Sequence, residues 1–341
     1  MARLNDCSLI GVLCKKPTVI KDEASGAYRH ASAYLEVVRG YRDAGDGKRL
    51  PVYDYIPIVT DEDSRCREID SWNQFDIIYV DGMFVTQSVT KKAVCTHCHN
   101  INAKLDGVAS YIYPIFCRKI LSSGFKCTSD DEATVEKAET EGLARANQEL
   151  LKWLPVSNRV LLEGNLANDP RRVRIKRKGG RDGKKLKDIV CCQCVVVSSR
   201  HKFIATDPLD KKADAPMLKV YGKECDSAYL RLMKGSMIHV DGYLQARNVN
   251  RHHSCDFCGQ SFNWMDKALE VVPYSIEYLK DCRTEEEAEA EKEARKLQSQ
   301  RDITAKLNAA NGNTLDMQSA GWGMEGVGEY MDESDDQDLF L

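Results

Sequence analysis

The sequence predicts a mainly β protein that contains the same small unit twice. The tripeptide Val-Asp-Gly at 80–82 recurs at 240–242, and the same spacing carries the Cys-x-x-Cys pair at 95–98 onto a second pair at 255–258. Near the start of each unit, LIGVLCKKP in the first unit matches LEGNLANDP in the second at its glycine and proline positions. Because these landmarks recur in the same order, we interpret the chain as a duplicated domain with hairpins of different lengths.

Length and composition agree with this prediction. A chain of 341 residues is long for one domain, and 43% hydrophobic with 30% charged residues is typical of a globular protein. The sequence has no apolar run of about 20 residues that could span a bilayer, and its start does not resemble a secretory signal. We therefore expect a cytoplasmic protein. In that compartment, 14 cysteines favour metal ligands or buried thiols over disulfides.

Each unit has the strand and turn pattern of a small closed barrel. In the second unit, strands are predicted over 160–166, 189–198, 217–221, 237–246 and 269–276, with a short helix near 227–233. Five strands with one helix after the third is the pattern of the OB-fold, a Greek-key barrel. In the first unit the strands begin near residues 8, 31, 52, 77 and 108. The sequence therefore predicts two tandem OB-folds.

The remaining segments frame the two barrels. The predicted domains are a first OB-fold over 1–120, a helical connector over 121–156, a second OB-fold over 157–282, and a charged helix or linker with a disordered acidic tail over 283–341. We expect the connector helix to begin at Ser129 and to end at Pro155. Residues 284–300 are rich in Glu, Ala, Lys, Arg and Gln, which predicts a solvated helix or a disordered stretch.

Three stretches carry a family resemblance. They are SNRVLLEGNLANDPRRVRI at 157–175, VYGKECDSAYLRLMKGSMIHVDGYLQAR at 220–247 and the ending MDESDDQDLFL. They resemble runs in the bacterial and phage single-stranded DNA-binding protein family. The resemblance implies a non-enzymatic OB-fold protein that coats and protects single-stranded DNA in replication, recombination and repair. It also implies a homodimer with four OB-folds and an acidic tip that recruits partner proteins. Typical members lack Cys-x-x-Cys pairs, and this unusual architecture favours a phage or plasmid origin.

A dense basic segment lies between the first and second strands of the second unit. Glycines interrupt it, and it contains almost no compensating acid. On a hairpin beside an OB-fold groove, such a segment would neutralise phosphates without reading sequence, although a charge run can also be a plain solvated face. The predicted contact residues are Arg171, Arg172, Arg174, Lys176, Arg177, Lys178, Arg181, Lys184, Lys185 and Lys187.

Tyrosines on the second and third strands are candidate platforms for bases. Exposed aromatic rings stack on unpaired bases with little sequence preference. We predict this role for Tyr34, Tyr41, Tyr53, Tyr55 and Tyr221. In the family resemblance, Tyr41, Tyr53 or Tyr55, and Tyr221 fall at or near positions where members of the family place aromatic platforms.

The two Cys-x-x-Cys pairs lie at matched places between the fourth and fifth strands of each unit. They are Cys95 with Cys98 and Cys255 with Cys258. Zinc takes four tetrahedral ligands, so each pair is half of a structural site. One solution joins both pairs in a single centre, across the two units or across a dimer. The other gives each hairpin its own zinc, completed by local histidines. The candidate histidines are His97, His99, His252 and His253.

The end of the sequence combines negative charge with an apolar tip. Residues 307–341 hold eight acids and no Lys or Arg, whereas the formal net charge of the whole chain is only −3. An apolar tip beside carboxylates fits a short peptide that docks in an apolar pocket with a basic rim. We predict partner binding by Asp335, Asp336, Asp338, Leu339, Phe340 and Leu341.

These features favour one class of function over two others. A sequence-tolerant single-stranded DNA-binding protein fits the repeat, the basic segment and the tyrosines together. A zinc-stabilised adaptor that binds protein or RNA is the alternative. A metal-dependent nuclease or thiol oxidoreductase fits less well, because the sequence has no phosphate-binding glycine loop, His-Glu metal motif or nucleophile elbow.

Overall fold

The computed structural model describes residues 4–43, 47–126, 131–175, 188–200, 204 and 212–312. Over these ranges the predicted fold class is confirmed, because the protein is mainly β and contains two closed five-stranded barrels with a helix between them. The predicted acidic tail lies outside the described residues. Within the described part of the chain, each helix is too short or too polar to cross a membrane.

The first barrel is closed by the strand order of an OB-fold. Its elements are β1 (Asn5–Leu13), β2 (Thr18–Lys21), β3 (Tyr28–Asp43), β4 (Arg49–Thr60), α1 (Asp63–Asp70), β5 (Ile77–Val94) and β6 (Ile101–Leu121). Strand β1 pairs antiparallel with β3 and β5, β3 pairs with β4, β4 runs parallel to β6, and β6 pairs with β5. The helix lies between the third and fourth barrel strands, as the sequence predicts. Apolar side chains such as Leu35, Ile58 and Phe84 fill the interior.

The second barrel repeats this order. Its elements are β7 (Asn158–Leu166), β8 (Arg171–Ile175), β9 (Ile189–Ser199), β10 (Ala213–Asp214), β11 (Met217–Tyr221), α3 (Glu224–Arg231), β12 (Met237–Ser254) and β13 (Ser261–Lys280). Strand β7 pairs with β9 and β12, β9 with β11, β11 runs parallel to β13, and β13 pairs with β12. The last two strands extend well beyond the predicted ranges. The predicted ranges are too short because the outer halves of these strands are polar and lack a strong apolar alternation.

The Val-Asp-Gly motif that reveals the repeat marks a close approach between the fourth and fifth barrel strands. A side chain at Gly82 would lie 2.4 Å from the carbonyl oxygen of Tyr113, and one at Gly242 would lie 2.3 Å from that of Val272. The pairing register shifts next to both glycines. Glycine is needed at these positions because another backbone passes where a side chain would begin.

The two barrels join through their first strands. Residues 5–9 of β1 pair antiparallel with residues 158–162 of β7, and Cys7 faces Val160 at the centre of this pairing. Both barrels therefore belong to one continuous sheet. The matched strands are related by an approximate two-fold rotation about the Cys7–Val160 pair.

A buried asparagine at the start of each first strand replaces a missing pair of backbone hydrogen bonds. The Asn5 amide nitrogen donates to the Phe84 carbonyl oxygen at 2.9 Å, and the Asn5 oxygen accepts from the Phe84 N–H at 3.0 Å. Asn158 makes the same two bonds with Leu244, at 2.8 and 2.9 Å. Because an unpaired buried backbone group is costly, each amide stabilises the strand beside it.

An aspartate of the first barrel reaches the second barrel. The Asp54 carboxylate on β4 accepts a hydrogen bond from the Ala246 N–H on β12 at 3.1 Å. The same carboxylate lies 3.5 Å from the Arg39 guanidinium, and Asp54 is buried. This contact ties the two barrels together beside the junction of their first strands.

The matching contact runs in the opposite direction. Asp214 on β10 accepts a hydrogen bond from the Thr86 N–H on β5 at 2.8 Å. It also accepts two from the Arg200 guanidinium, at 2.7 and 2.8 Å, and both charged side chains are almost fully buried. The approximate two-fold symmetry therefore includes a buried ion pair on each side.

The connector crosses the outside of the first barrel. It consists of α2 (Glu132–Leu150) and a 3-10 helix (Leu151–Val156) that contains Pro155. The helix begins later than predicted, because the Asp131 side chain caps it by accepting from the Thr134 N–H at 2.9 Å, while Ser129 lies outside the described residues. The charged segment after the second barrel forms α4 (Glu285–Gly312), the helical one of the two predicted states.

Candidate nucleic-acid interface and cysteine centre

Two long hairpins extend from the barrels and meet at their tips. We call residues 85–110 of the β5–β6 hairpin the first arm, and residues 245–269 of the β12–β13 hairpin the second arm. The tips bring together four thiols, two from each arm, and all four sulfurs lie within 4.8 Å of one another. They belong to Cys95, Cys98, Cys255 and Cys258, which we call the cysteine centre.

The two tips have the same turn geometry. In the first arm, the Cys95 N–H donates to the Asn100 carbonyl oxygen at 3.0 Å, and His99 has a positive φ of 58°. In the second arm, the Cys255 N–H donates to the Gln260 carbonyl oxygen at 3.0 Å, and Gly259 has a φ of 70°. Each turn brings its two cysteines to one side of the hairpin end. The Cys-x-x-Cys spacing therefore allows both thiols of a pair to bind the same metal.

Two of the distances between sulfurs of opposite arms fit a single tetrahedral metal. The Cys95 and Cys258 sulfurs are 3.8 Å apart, and those of Cys98 and Cys255 are 3.6 Å apart. Four sulfurs around one zinc, each at about 2.3 Å from the metal, lie about 3.8 Å from one another. Every cysteine that the structure describes is a free thiol, so all four remain available as ligands.

The structure therefore favours one of the two zinc arrangements predicted from the sequence. Both cysteine pairs contribute to one shared centre within a single chain. Two histidines of the alternative make other contacts: the His97 Nε2 lies 3.3 Å from the Ser261 carbonyl oxygen, and the His253 Nε2 lies 3.7 Å from the Asp256 carboxylate. Among the described residues, the candidate metal ligands that cluster at the tips are all cysteines.

Hydrogen bonds around Cys255 favour its thiolate. Burial opposes the charged form, but the N–H groups of Cys258 and Phe257, together with the side chains of Asn102 and Cys98, lower the pKa of Cys255 to about 6. The Asn102 amide nitrogen lies 3.5 Å from this sulfur, and its oxygen accepts from a backbone N–H of the second arm. Against a backbone hydrogen bond that lowers it, burial and the neighbouring thiols raise the pKa of Cys258 to about 12, so the cluster holds Cys258 protonated, and a metal that binds there would have to displace its proton.

The sequence also predicts that other cysteines serve as buried small residues. Cys191, Cys192 and Cys194 on β9 are all buried. Burial raises the pKa of Cys194 to about 12, so this thiol stays protonated at neutral pH. These thiols pack in the second barrel and do not join the cysteine centre.

Two of the predicted tyrosines form an exposed face on the first barrel. Tyr34 on β3 pairs with Pro57, and Tyr55 on β4 pairs with Glu36, so both rings leave the barrel on its outer side. Tyr34 is 49% exposed and Tyr55 is 50% exposed. We call these two residues the tyrosine face.

The second arm lies beside the tyrosine face and forms a groove with it. The Lys267 ammonium lies 5.5 Å from the centre of the Tyr34 ring, and Met265 is exposed on the same arm. The groove has a volume of about 620 Å³. Its lining includes Tyr34, Tyr55, Val108, Arg247, Met265 and Lys267. Exposed rings and cations in one groove are the groups that bind unpaired bases and phosphates.

The other predicted tyrosines are less accessible. Tyr41 is half-buried near the end of β3. Tyr53 is half-buried because the connector and its apolar cluster cover that part of β4. Tyr221 is only 8% exposed and packs against Ile175 and Val272 on the second barrel. The role of these three residues in nucleic-acid binding stays a prediction.

The basic segment is described at one end only. Arg171, Arg172 and Arg174 are exposed on β8, and Arg172 forms an ion pair with Asp226 at 2.9 Å. The other predicted contacts lie outside the described residues, as does the acidic tip; they are Lys176, Arg177, Lys178, Arg181, Lys184, Lys185, Lys187, Asp335, Asp336, Asp338, Leu339, Phe340 and Leu341.

Sequence reasoning missed the residues that the second arm contributes. Met265 and Lys267 belong to the second unit, yet they line a groove on the first. The repeat reveals that both units carry a long hairpin, but it cannot show which barrel each hairpin leans against. The nearest signal is the duplication of the Cys-x-x-Cys pairs, since a shared centre requires the two arms to meet.

Comparison with known proteins gives only distant similarities. No protein-family profile and no curated protein matches this sequence. The wild-type single-stranded DNA-binding protein from Thermus aquaticus is similar at a TM-score of 0.47 and 14% identity, over 84% of this chain and 97% of that chain. A deletion mutant of that protein gives 0.46 and 15%, over 84% and 100%. The Plasmodium falciparum SSB in complex with ssDNA gives 0.26 and 18%, over 33% and 89%. These similarities do not assign the chain to a family.

Proposed function

We propose that this protein binds single-stranded DNA with little sequence preference and without catalysis. The observation that carries the proposal is the groove, where the exposed rings of Tyr34 and Tyr55 lie beside the Lys267 ammonium. Every base has a face that can stack on a ring, and each stacked base contributes about 1–3 kcal/mol. Cations along the same surface neutralise phosphates without distinguishing sequences.

The cysteine centre supports a structural zinc as part of this function. Four clustered thiols are the ligands that closed zinc sites use, and two of their sulfur–sulfur distances match a tetrahedral site. Bound there, zinc would cross-link the two arms, and Asn102 would orient Cys255 by its hydrogen bond. Four cysteine ligands would fill the coordination positions of a tetrahedral zinc and leave none for a reacting water. We therefore assign the metal a structural role.

The partners follow from the sequence resemblance and remain part of the proposal. They are replication, recombination and repair proteins that dock on the acidic C-terminal tip, together with a second copy of the chain in a homodimer. In the sequence, the Leu-Phe-Leu ending follows a run of carboxylates, and this pattern supports the docking role.

Fluorescence anisotropy with labelled oligonucleotides tests the proposed function. We expect tight binding to single-stranded DNA of mixed sequence, much weaker binding to a duplex of the same length, and affinity that falls steeply as salt rises. The oligonucleotides should remain intact after long incubation. A flat response to single-stranded DNA at low salt would refute the proposal and favour an adaptor.

A further inference from the structure

The groove and the cysteine centre share the same two hairpins. One wall of the groove is the second arm, which carries Met265 and Lys267, and the opposite wall is the tyrosine face of the first barrel with the first arm beside it. Cys255 and Cys258 lie at the tip of that second arm, and Cys95 and Cys98 lie at the tip of the first. One hairpin therefore carries a groove wall near its base and half of the cysteine centre at its tip.

The two arms contact each other at the groove and again at the tips. Lys91 of the first arm forms an ion pair with Asp266 of the second. A small apolar cluster that includes Leu105, Phe262 and Trp264 surrounds the four cysteines. Cys95, Cys98 and Cys255 belong to this cluster, so a bound metal would join the arms at the same place as these apolar contacts.

The second barrel lacks rings at the two positions that match Tyr34 and Tyr55. Strand register equates Leu35 with Val196, since both pair with the last residue of a first strand, so Tyr34 corresponds to Val195. In the same way the residue after Asp214, which is Ala215, corresponds to Tyr55. An arm that moves therefore exposes or covers stacking rings on one barrel only.

We propose that metal binding at the cysteine centre closes the groove between the second arm and the tyrosine face, so that this groove clamps an unpaired strand only when the metal is bound. The inference rests on the proposed function and adds its regulation. The metal and the DNA strand bind at separate sites, and both favour the state in which the arms are joined. Linkage then requires each ligand to strengthen the binding of the other.

The test compares metal-loaded and metal-depleted protein. Full-length protein is stripped with a chelator, one half is reloaded with zinc, and both halves are titrated into a labelled oligothymidine at moderate salt. We expect metal removal to weaken binding about 10-fold, the change that follows from the loss of roughly one stacked base. Circular dichroism of both halves checks that the barrels stay folded.

Variants connect that effect to the groove. With Tyr34→Ala and Tyr55→Ala combined, we expect weaker binding that no longer responds to zinc, because the metal then closes a groove without rings. Tyr274→Ala is the matched control, since Tyr274 is 63% exposed but does not line the groove. This control should keep both the affinity and the 10-fold metal effect of the parent protein.

A second pair of variants tests the cysteine centre itself. Cys258 is the exposed member of the centre, so Cys258→Ser should reproduce the metal-depleted affinity while the barrels stay folded. Cys282→Ser removes a free thiol outside the centre and should change nothing. Hydrogen exchange at residues 85–110 and 245–269 gives a readout independent of DNA, and we expect faster exchange there in the metal-free protein.

The outcomes separate the inference from the proposed function. If the protein binds single-stranded DNA equally well with and without metal, the inference fails and the proposed function stands. The inference also fails if the metal effect persists in the double tyrosine variant, because the groove is then not its origin. If no form binds single-stranded DNA, both fail.

Discussion

The two barrels share one framework but carry different surfaces. Tyr34 and Tyr55 on the first barrel correspond to Val195 and Ala215 on the second, so only the first offers exposed rings at these positions. The second barrel instead carries the basic segment that begins at Arg171. Under the proposed function, the duplicated unit divides one task, with stacking by one copy and phosphate contact by the other.

The residues that remained matched hold strands together within each barrel or hold the two barrels together. Each unit keeps a first-strand asparagine, an aspartate that caps the other unit, a glycine at the close approach and a cysteine pair. Each of these groups contacts a backbone or a symmetry-related partner, so a change on one side leaves the other side unsatisfied. The exposed faces carry no such constraint, and there the two copies differ.

The largest expected effect separates the two buried aspartates. Asp214→Ala removes two short Arg200 contacts and leaves a buried guanidinium, which costs about 3–5 kcal/mol. Asp54→Ala should cost less, about 1–3 kcal/mol, because Arg39 lies farther from it and is less buried. Urea denaturation of both variants measures the difference in the free energy of unfolding. Equal losses would contradict the asymmetry seen in the structure.

A smaller and symmetric effect is expected for the two asparagines. Asn5→Ala and Asn158→Ala each remove two hydrogen bonds and leave a buried backbone N–H and C=O unpaired, so each should cost about 1–3 kcal/mol. Because the two sets of contacts match, the losses should agree within about 0.5 kcal/mol. The same denaturation assay checks this, and a large difference would show that one junction is weaker.

The basic strand of the second barrel should set the salt dependence of DNA binding. Replacing Arg171, Arg172 and Arg174 by alanine should reduce the slope of log affinity against log salt by about 2, since each phosphate contact contributes about 0.7 on a single strand. The control replaces three exposed cations on α4, Lys292, Lys296 and Arg301, which changes net charge equally. If both triple variants lose the same slope, the effect is one of net charge and not of position.

The smallest expected effect concerns Glu36, whose counterpart in the second barrel is Val197. Burial raises the pKa of Glu36, with the Asn147 amide, the Cys14 thiol and the rings of Tyr53 and Tyr55 nearby. The folded state therefore holds a proton that the unfolded state has lost, and this residue makes stability fall as pH rises above the ordinary glutamate pKa.

Glu36→Gln should remove that contribution. We expect the stability difference between variant and parent protein to move in favour of the variant between about pH 4 and pH 7. Chemical denaturation across this range measures it, with the exposed Glu286→Gln as control. A difference that does not change with pH would show that Glu36 ionises normally in the folded protein.

Short local motifs made the fold predictable, and the three-dimensional register did not follow from them. The glycine of Val-Asp-Gly and the cysteine pairs stand out because few other residues satisfy their geometry. Asn5 and Asn158 leave no comparable signal, since a single polar residue in a strand is common and its partner lies far away in sequence. The sequence also leaves two arrangements of the zinc ligands possible, because the two cysteine pairs that form the shared centre lie far apart in sequence.

The tyrosines show where alignment to a pattern stops being informative. The family resemblance places Tyr221 and not Tyr34 at a platform position, yet the Tyr34 ring is half exposed and the Tyr221 ring packs beneath neighbouring side chains. The exposure of each ring depends on which segments pack over its strand. These segments are the connector and the small hairpin that begins at β8. Those contacts come from segments with little sequence signature of their own.

The pairing of β1 with β7 also has a consequence during synthesis. Residues 5–9 pair with residues 158–162, so the ribosome must synthesise more than a whole barrel before this edge of β1 can pair. Until then the nascent chain presents a bare strand margin, which is a template for pairing with a neighbouring nascent chain. Linking both halves in one polypeptide places the correct partner close at hand as soon as it emerges.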